Sequence, residues 1–187
     1  VSLRKNLPNY LTYFRILVIP ALIVIFLWGH YFLKDHLTYY FSAGLFALAS
    51  ITDWLDGYVA RIWHAQSNVG KFLDPIADKL LVATALLLLI DQGRADLLPA
   101  IAIVCREILV SGLREFLAEI RVSVPVSKLA KFKTAAQMGA IFFLLLGDAG
   151  PLWFHGEWMG RALLWIAAIL TLMTGYIYIK IGWKHMD

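Results

Sequence analysis

The chain has 187 residues, 60% of them hydrophobic and 16% charged, with a formal net charge of +4. A soluble domain of this length is typically about half apolar and a quarter charged. Here the apolar residues come in runs rather than at amphipathic spacing, which sets aside a water-exposed globule and argues for an all-α, polytopic membrane protein.

Six segments are long enough to span a bilayer, at roughly 9–29, 37–60, 74–91, 96–118, 131–147 and 158–180. Their connections are short, so residues 1–187 read as a single domain of six transmembrane helices. Arg4 and Lys5 ahead of the first apolar run resemble a signal-peptide start, but the run is long and holds Arg15, which favours a retained helix. Of the 17 Lys and Arg residues, only Lys34, Arg94 and Arg161 fall on the side away from the termini. The positive-inside bias then places both termini in the cytoplasm. Basic residues this dispersed read as orientation signals and contacts to anionic substrate or lipid, not as a nucleic-acid surface.

In the first helix, Asn9, Thr12 and Arg15 recur every third residue, close to one face. The second carries Asp53 and Asp56, followed by Gly57, Ala60 and Arg61. Glycine and alanine keep that face bare, so a bulky polar group can approach the backbone, and the arginine fork suits phosphate. Gly70 relaxes the connection, and Asp74-Pro75 has the form of a helix start, an N-cap acid followed by proline at the first helical position. Asp78 stacks one turn beyond Asp74. Antiparallel packing of the second and third helices brings the four acids together. Two carboxylates ~5 Å apart at an effective dielectric of ~20 repel by roughly 3 kcal/mol. Such a cluster calls for cations or protonation, and oxygen-only ligation suits Mg²⁺ or Mn²⁺. Helix capping by one or two acids is the bland alternative, and four acids at this spacing argue against it.

Cys105 lies in an apolar run and reads as a small core residue. As the sole cysteine it excludes an intrachain disulfide. His30, His36, His64, His155 and His185 are scattered at helix ends without metal-ligand spacing and read as surface residues. Trp28, Trp153, Trp158 and Trp183 stand near boundaries as interfacial anchors.

The string Asp53-x2-Asp56-Gly57-x2-Ala60-Arg61-x8-Gly70-x3-Asp74-x3-Asp78 resembles the signature of the CDP-alcohol phosphotransferase family at every fixed position. The stretches NLPNYLTYFRILVIP, CREILVSGLREFLAE and KLAKFKTAAQM are similar to its bacterial branch that joins CDP-diacylglycerol to sn-glycerol 3-phosphate. The resemblance implies a six-helix, usually homodimeric enzyme among the lipids of the inner (plasma) membrane, working from the cytoplasmic side and releasing CMP. It implies two divalent cations on Asp53, Asp56, Asp74 and Asp78, with Asp78 also taking the acceptor hydroxyl proton. Gly57, Ala60, Arg61 and Gly70 would border the CDP group, and Asn9, Thr12 and Arg15 would close the nucleotide side.

For the acceptor, Arg106, Glu107, Ser111, Arg114 and Glu115 are polar positions on an otherwise apolar fourth helix, and such residues usually face the protein interior or a water-filled cavity. Arg114 with Lys131, Lys133 and Thr134 of the fifth helix suits a dianionic phosphate at a pocket mouth, with Arg106 deeper in the helix and salt bridging to Glu107 as its alternative. No Ser-His type nucleophile is present, which favours direct transfer. The same chemistry with inositol phosphate, serine or phosphatidylglycerol as acceptor stays open. A divalent-cation transporter is the reading from another class, disfavoured because the acids cluster at one face instead of lining the membrane depth.

Overall fold

The computed structural model describes residues 2–63, 68–122, 128–149 and 155–183. Six helices follow one another, α1 (Ser2–Phe32), α2 (Asp35–Trp63), α3 (Asn68–Asp91), α4 (Leu97–Glu119), α5 (Lys128–Leu146) and α6 (Gly156–Trp183), with a 3₁₀ turn at Gly147–Ala149. No strand occurs among the described residues. Long apolar runs leave the backbone no partner but itself, and helices satisfy that demand within one segment. Tyr10–Phe32, Leu129–Leu146 and Gly156–Trp183 are long and apolar enough to cross a membrane. Helices α2, α3 and α4 are continuous but carry charged residues among their apolar ones.

Two boundaries differ from the sequence expectation. Helix α1 begins at Ser2 instead of residue 9, and α3 begins at Asn68 instead of Asp74. Proline lacks an amide hydrogen and crowds the carbonyl one turn earlier, which is why Asp74-Pro75 reads as a helix start. Pro75 instead lies inside α3, a placement that membrane helices tolerate when neighbours re-satisfy the freed carbonyl. Gly70 is therefore not a relaxed connection. It is buried within the helix, in register with Asp74 and Asp78 along one face.

Helices α5 and α6 share the most extensive interface, and α4 also packs on α6. Gly156 and Gly160, a GxxxG pair, are both buried at the start of α6. A Cβ on Gly160 would stand 2.6 Å from Leu144 Cγ and 3.0 Å from the Leu144 backbone nitrogen. Helix α1 packs on both α2 and α3, whereas α2 and α3 touch each other only slightly. The expected α2–α3 neighbours are thus joined mainly through α1. Leu22, Phe46, Leu86, Ile141, Leu144 and Leu164 are fully buried in the shared core.

The outer surface carries Leu17, Leu87, Ile108, Ile169 and Leu172, as expected of helices facing lipid. Cys105 is among the exposed residues, not in the core. Hydropathy cannot separate these two environments, because lipid is as apolar as the protein interior. Trp28, Trp158 and Trp183 are exposed at helix ends, and so are His30, His36 and His155. Trp153, His64 and His185 lie outside the described residues.

At the end of the bundle holding the α3–α4 connection, charges pair closely. Arg161 donates from Nη1 to Asp96 Oδ1 at 3.0 Å and from Nη2 to Glu157 Oε1 at 2.8 Å and to the Gly93 carbonyl at 2.6 Å. Trp165 Nε1 donates to Asp96 Oδ2 at 2.7 Å. The Arg94 guanidinium lies 4.0 Å from the centre of the Tyr39 ring.

Candidate active site

At the opposite end α1 stands against the two acid-bearing helices and reaches both. Arg15 is fully buried, with Nη1 2.8 Å from Asp53 Oδ1 on α2. Thr12, also buried and three residues earlier, donates its hydroxyl to Asp74 Oδ1 on α3. One turn of α1 thereby ties the first acid pair to the second. Thr12 and Arg15, expected on the nucleotide side, hold the carboxylates themselves. Asp53 lies within electrostatic range of both Asp74 and Asp78. Asn9 lies on α1, and Asp56, Gly57, Ala60 and Arg61 lie on α2; the surroundings of their side chains fall outside the described residues.

Asp78 also faces a cavity of about 290 Å³ between α3, α4 and α5. Its polar lining is Asp78, Lys79, Glu107, Lys133, Thr134 and Gln137, set among apolar residues such as Val82 and Val104. Lys133 is buried and paired with Glu107, and Lys79 donates to Ser111. Glu107 and Ser111, one turn apart on α4, thus anchor one ammonium from α5 and one from α3. Lys133 and Gln137 are likewise one turn apart on α5, and both are buried.

Of the residues expected around the acceptor, Lys133 and Thr134 line this cavity. Arg114 and Lys131 are exposed and do not. Arg106 turns away toward α6, where Nη2 donates to Thr174 Oγ1 at 2.9 Å and the guanidinium lies 5.8 Å from the centre of the Tyr178 ring. Arg106, expected at the acceptor phosphate, is thus not among the residues that line this cavity. A Cβ on Gly175 would meet Arg106 Cγ at 3.0 Å, so this glycine leaves room for the arginine stem. Glu107 does meet Arg106, at 3.3 Å, as the salt-bridge alternative requires. Lys79 and Gln137 were not among the expected site residues; the signals that point to them are the adjacency of Lys79 to Asp78 and the one-turn spacing of Gln137 from Lys133.

Over residues 5–173 the chain matches the CDP-alcohol phosphatidyltransferase family. The chain belongs to this family. It is similar to a protein of Rickettsia typhi, at 50% identity over 176 residues, 94% of this chain and 96% of the relative. A Salmonella typhimurium relative is 42% identical over 179 residues, 94% of this chain and 93% of its own length. One from Cereibacter sphaeroides is 39% identical, covering 94% of each chain. All three are named CDP-diacylglycerol–glycerol-3-phosphate 3-phosphatidyltransferase.

CDP-alcohol phosphatidyltransferases are generally dependent on a divalent cation. The donor chemistry here fits one, since Asp53, Asp74 and Asp78 offer oxygen alone and repel one another through Asp53. Among the described side chains no three acids close around a single point, and the side chain of Asp56, one turn from Asp53 on α2, lies outside them.

Proposed function

We propose that this chain transfers the phosphatidyl group of CDP-diacylglycerol to sn-glycerol 3-phosphate, giving phosphatidylglycerol phosphate and CMP. The observation that carries the reading is that one cavity is lined by both Asp78, a member of the acid cluster, and Lys133, a buried cation on another helix. A carboxylate that accepts a proton and an ammonium that holds a phosphate are what this acceptor needs at its two ends.

Asp53, Asp56, Asp74 and Asp78 would hold two divalent cations, Mg²⁺ or Mn²⁺, which would neutralise the donor diphosphate and the departing CMP. Arg15 and Thr12 set the rotamers of Asp53 and Asp74 through their contacts. Gly57, Ala60 and Gly70 leave room for the CDP group, and Arg61 takes one of its phosphates. The acceptor hydroxyl oxygen bonds to the phosphorus bearing the diacylglycerol, and the bond from that phosphorus to the CMP oxygen breaks. CMP leaves with the electron pair, and the hydroxyl proton passes to the Asp78 carboxylate. Lys133 and Thr134 hold the acceptor phosphate, while the exposed Arg114 of α4 and Lys131 of α5 draw the dianion toward the cavity. The charge distribution supports a multi-pass enzyme of the inner membrane whose site faces the cytoplasm, and the family resemblance supports a homodimer.

The test is CMP release by purified protein with CDP-diacylglycerol, a divalent ion and a panel of glycerol 3-phosphate, glycerol, inositol phosphate and serine. Glycerol 3-phosphate is expected to be the best acceptor, and activity is expected to vanish in EDTA and return with Mg²⁺ or Mn²⁺. Equal use of free glycerol would remove the acceptor assignment, and full activity in EDTA would remove the cations.

A further inference from the structure

Gln137 is 4% exposed, and its side-chain oxygen has no hydrogen-bond partner among the described residues. The same side chain lines the cavity that holds Asp78 and Lys133. Buried polar groups are nearly always paired, so an unpaired amide oxygen at the wall of a cavity marks a place where a ligand completes the set once the side chain turns toward it. We infer that Gln137 determines acceptor specificity by hydrogen bonding a second, non-reacting hydroxyl of the acceptor. This rests on the proposed reaction and adds the group that tells one phosphorylated alcohol from another.

The spacing along α5 carries the argument further. Gln137 follows Lys133 by one turn, ~5.4 Å along the helix, and both are buried on the face that meets the cavity. With the phosphate at Lys133 and the reacting primary hydroxyl at Asp78, the secondary hydroxyl of glycerol 3-phosphate falls between its two ends, inside the cavity that the amide also lines. A hydroxyl both donates and accepts, so it satisfies the amide whichever end faces it. The remaining lining is largely apolar, including Ile76, Val82 and Val104, and gives a misplaced hydroxyl no other partner. An acceptor without that hydroxyl leaves the amide buried and unpaired, and sites built this way reject such analogues.

The test compares glycerol 3-phosphate with propane-1,3-diol monophosphate, which keeps the phosphate and primary hydroxyl but lacks the secondary one. With wild-type enzyme, CDP-diacylglycerol and Mg²⁺, kcat/KM should favour glycerol 3-phosphate by roughly tenfold or more. In Gln137→Leu the preference should collapse toward unity through loss with glycerol 3-phosphate alone, with the KM for CDP-diacylglycerol unchanged. A merely structural glutamine would lower both acceptors alike, and that result would overturn the inference. If Gln137→Leu does not fold, Gln137→Met, near in shape but without the amide, replaces it. Equal use of both phosphates by the wild type overturns the role of Gln137 and leaves the reaction standing. Use of neither overturns both.

Discussion

The two ends of the bundle carry similar residues in opposite organisation. Around the α3–α4 connection, Arg161 is shared between Asp96 and Glu157, and Asp96 accepts a further bond from Trp165, so these three charges meet complements. At the other end Arg15 meets Asp53 and Lys133 meets Glu107, while Asp53 and Asp78 press on each other beside a cavity. Charges that close on one another hold helices together. Charges of one sign crowded beside an open volume raise the energy of the free protein and await a ligand that relieves them. Polarity within an apolar bundle therefore does not mark function by itself; the imbalance does.

The strongest way to break this contrast is Asp78→Asn. Removing a general base lowers turnover by about 10²–10⁴. The substitution also removes one repelling charge near Asp53 and Glu107, so thermal stability is expected to hold or rise while activity collapses. Donor binding with the cation, measured by CDP-diacylglycerol retention, should persist. Turnover above about a tenth of wild type would remove Asp78 from that role.

Next in size is the acceptor side, where burial separates two candidates. Lys133→Met should raise the KM for glycerol 3-phosphate by roughly tenfold to a hundredfold, the scale of one charge-assisted hydrogen bond. Arg114→Ala, at an exposed position, should change it by about threefold or less and lose that effect at high salt. Steady-state kinetics with each substrate varied in turn decides the order. A reversed order would move phosphate binding from the cavity to its rim.

Much of this organisation is legible in the chain itself. The apolar runs predict all six helices, and the four-residue spacing places Asp74 and Asp78 on one face of α3, because both are local regularities of 3.6-residue geometry. What escapes is set by pairing across distance. Nothing near Thr12 or Arg15 announces that they meet Asp74 and Asp53, and the proline rule misplaces the start of α3 because neighbouring helices override it. Arg106 reads as a phosphate ligand from its helix position alone. Its turn toward Thr174 depends on Gly175 of a helix far along the chain. Cys105 escapes for another reason, since facing lipid and facing core look alike to hydropathy.

At the closed end the expected effects are on stability, not rate. Gly160→Ala places a Cβ 2.6 Å from Leu144 Cγ and 3.0 Å from a backbone nitrogen that cannot move aside as a side chain can. Overpacking of this kind costs about 1–3 kcal/mol. The melting temperature in detergent should fall while kcat and KM of the folded fraction stay at wild-type values. Gly112→Ala, with no atom within 4 Å of its added Cβ, serves as the control and should not destabilise. A fall in kcat for Gly160→Ala would mean that the α5–α6 contact is transmitted to Lys133 and Gln137 on α5.

Glu157→Gln should have the smallest effect and makes the sharpest demand on the comparison. Glu157 and Arg161 are a helix i,i+4 pair whose side chains are 34% and 36% exposed, so solvent screens their attraction. Pairs of that kind contribute ~0.3–0.5 kcal/mol. The glutamine oxygen can still accept from Arg161, which keeps Asp96 and the Gly93 carbonyl as partners. For a protein of this size ~1 kcal/mol corresponds to roughly 2–4 °C, so the melting temperature should drop by about 1–2 °C, with no change in either substrate's KM. The opposite result at either readout is informative. A drop several times larger would mean that the three charges act as one cooperative network. A raised KM for glycerol 3-phosphate would mean that the ends are coupled through the bundle, and balanced charge would then no longer separate structural residues from functional ones.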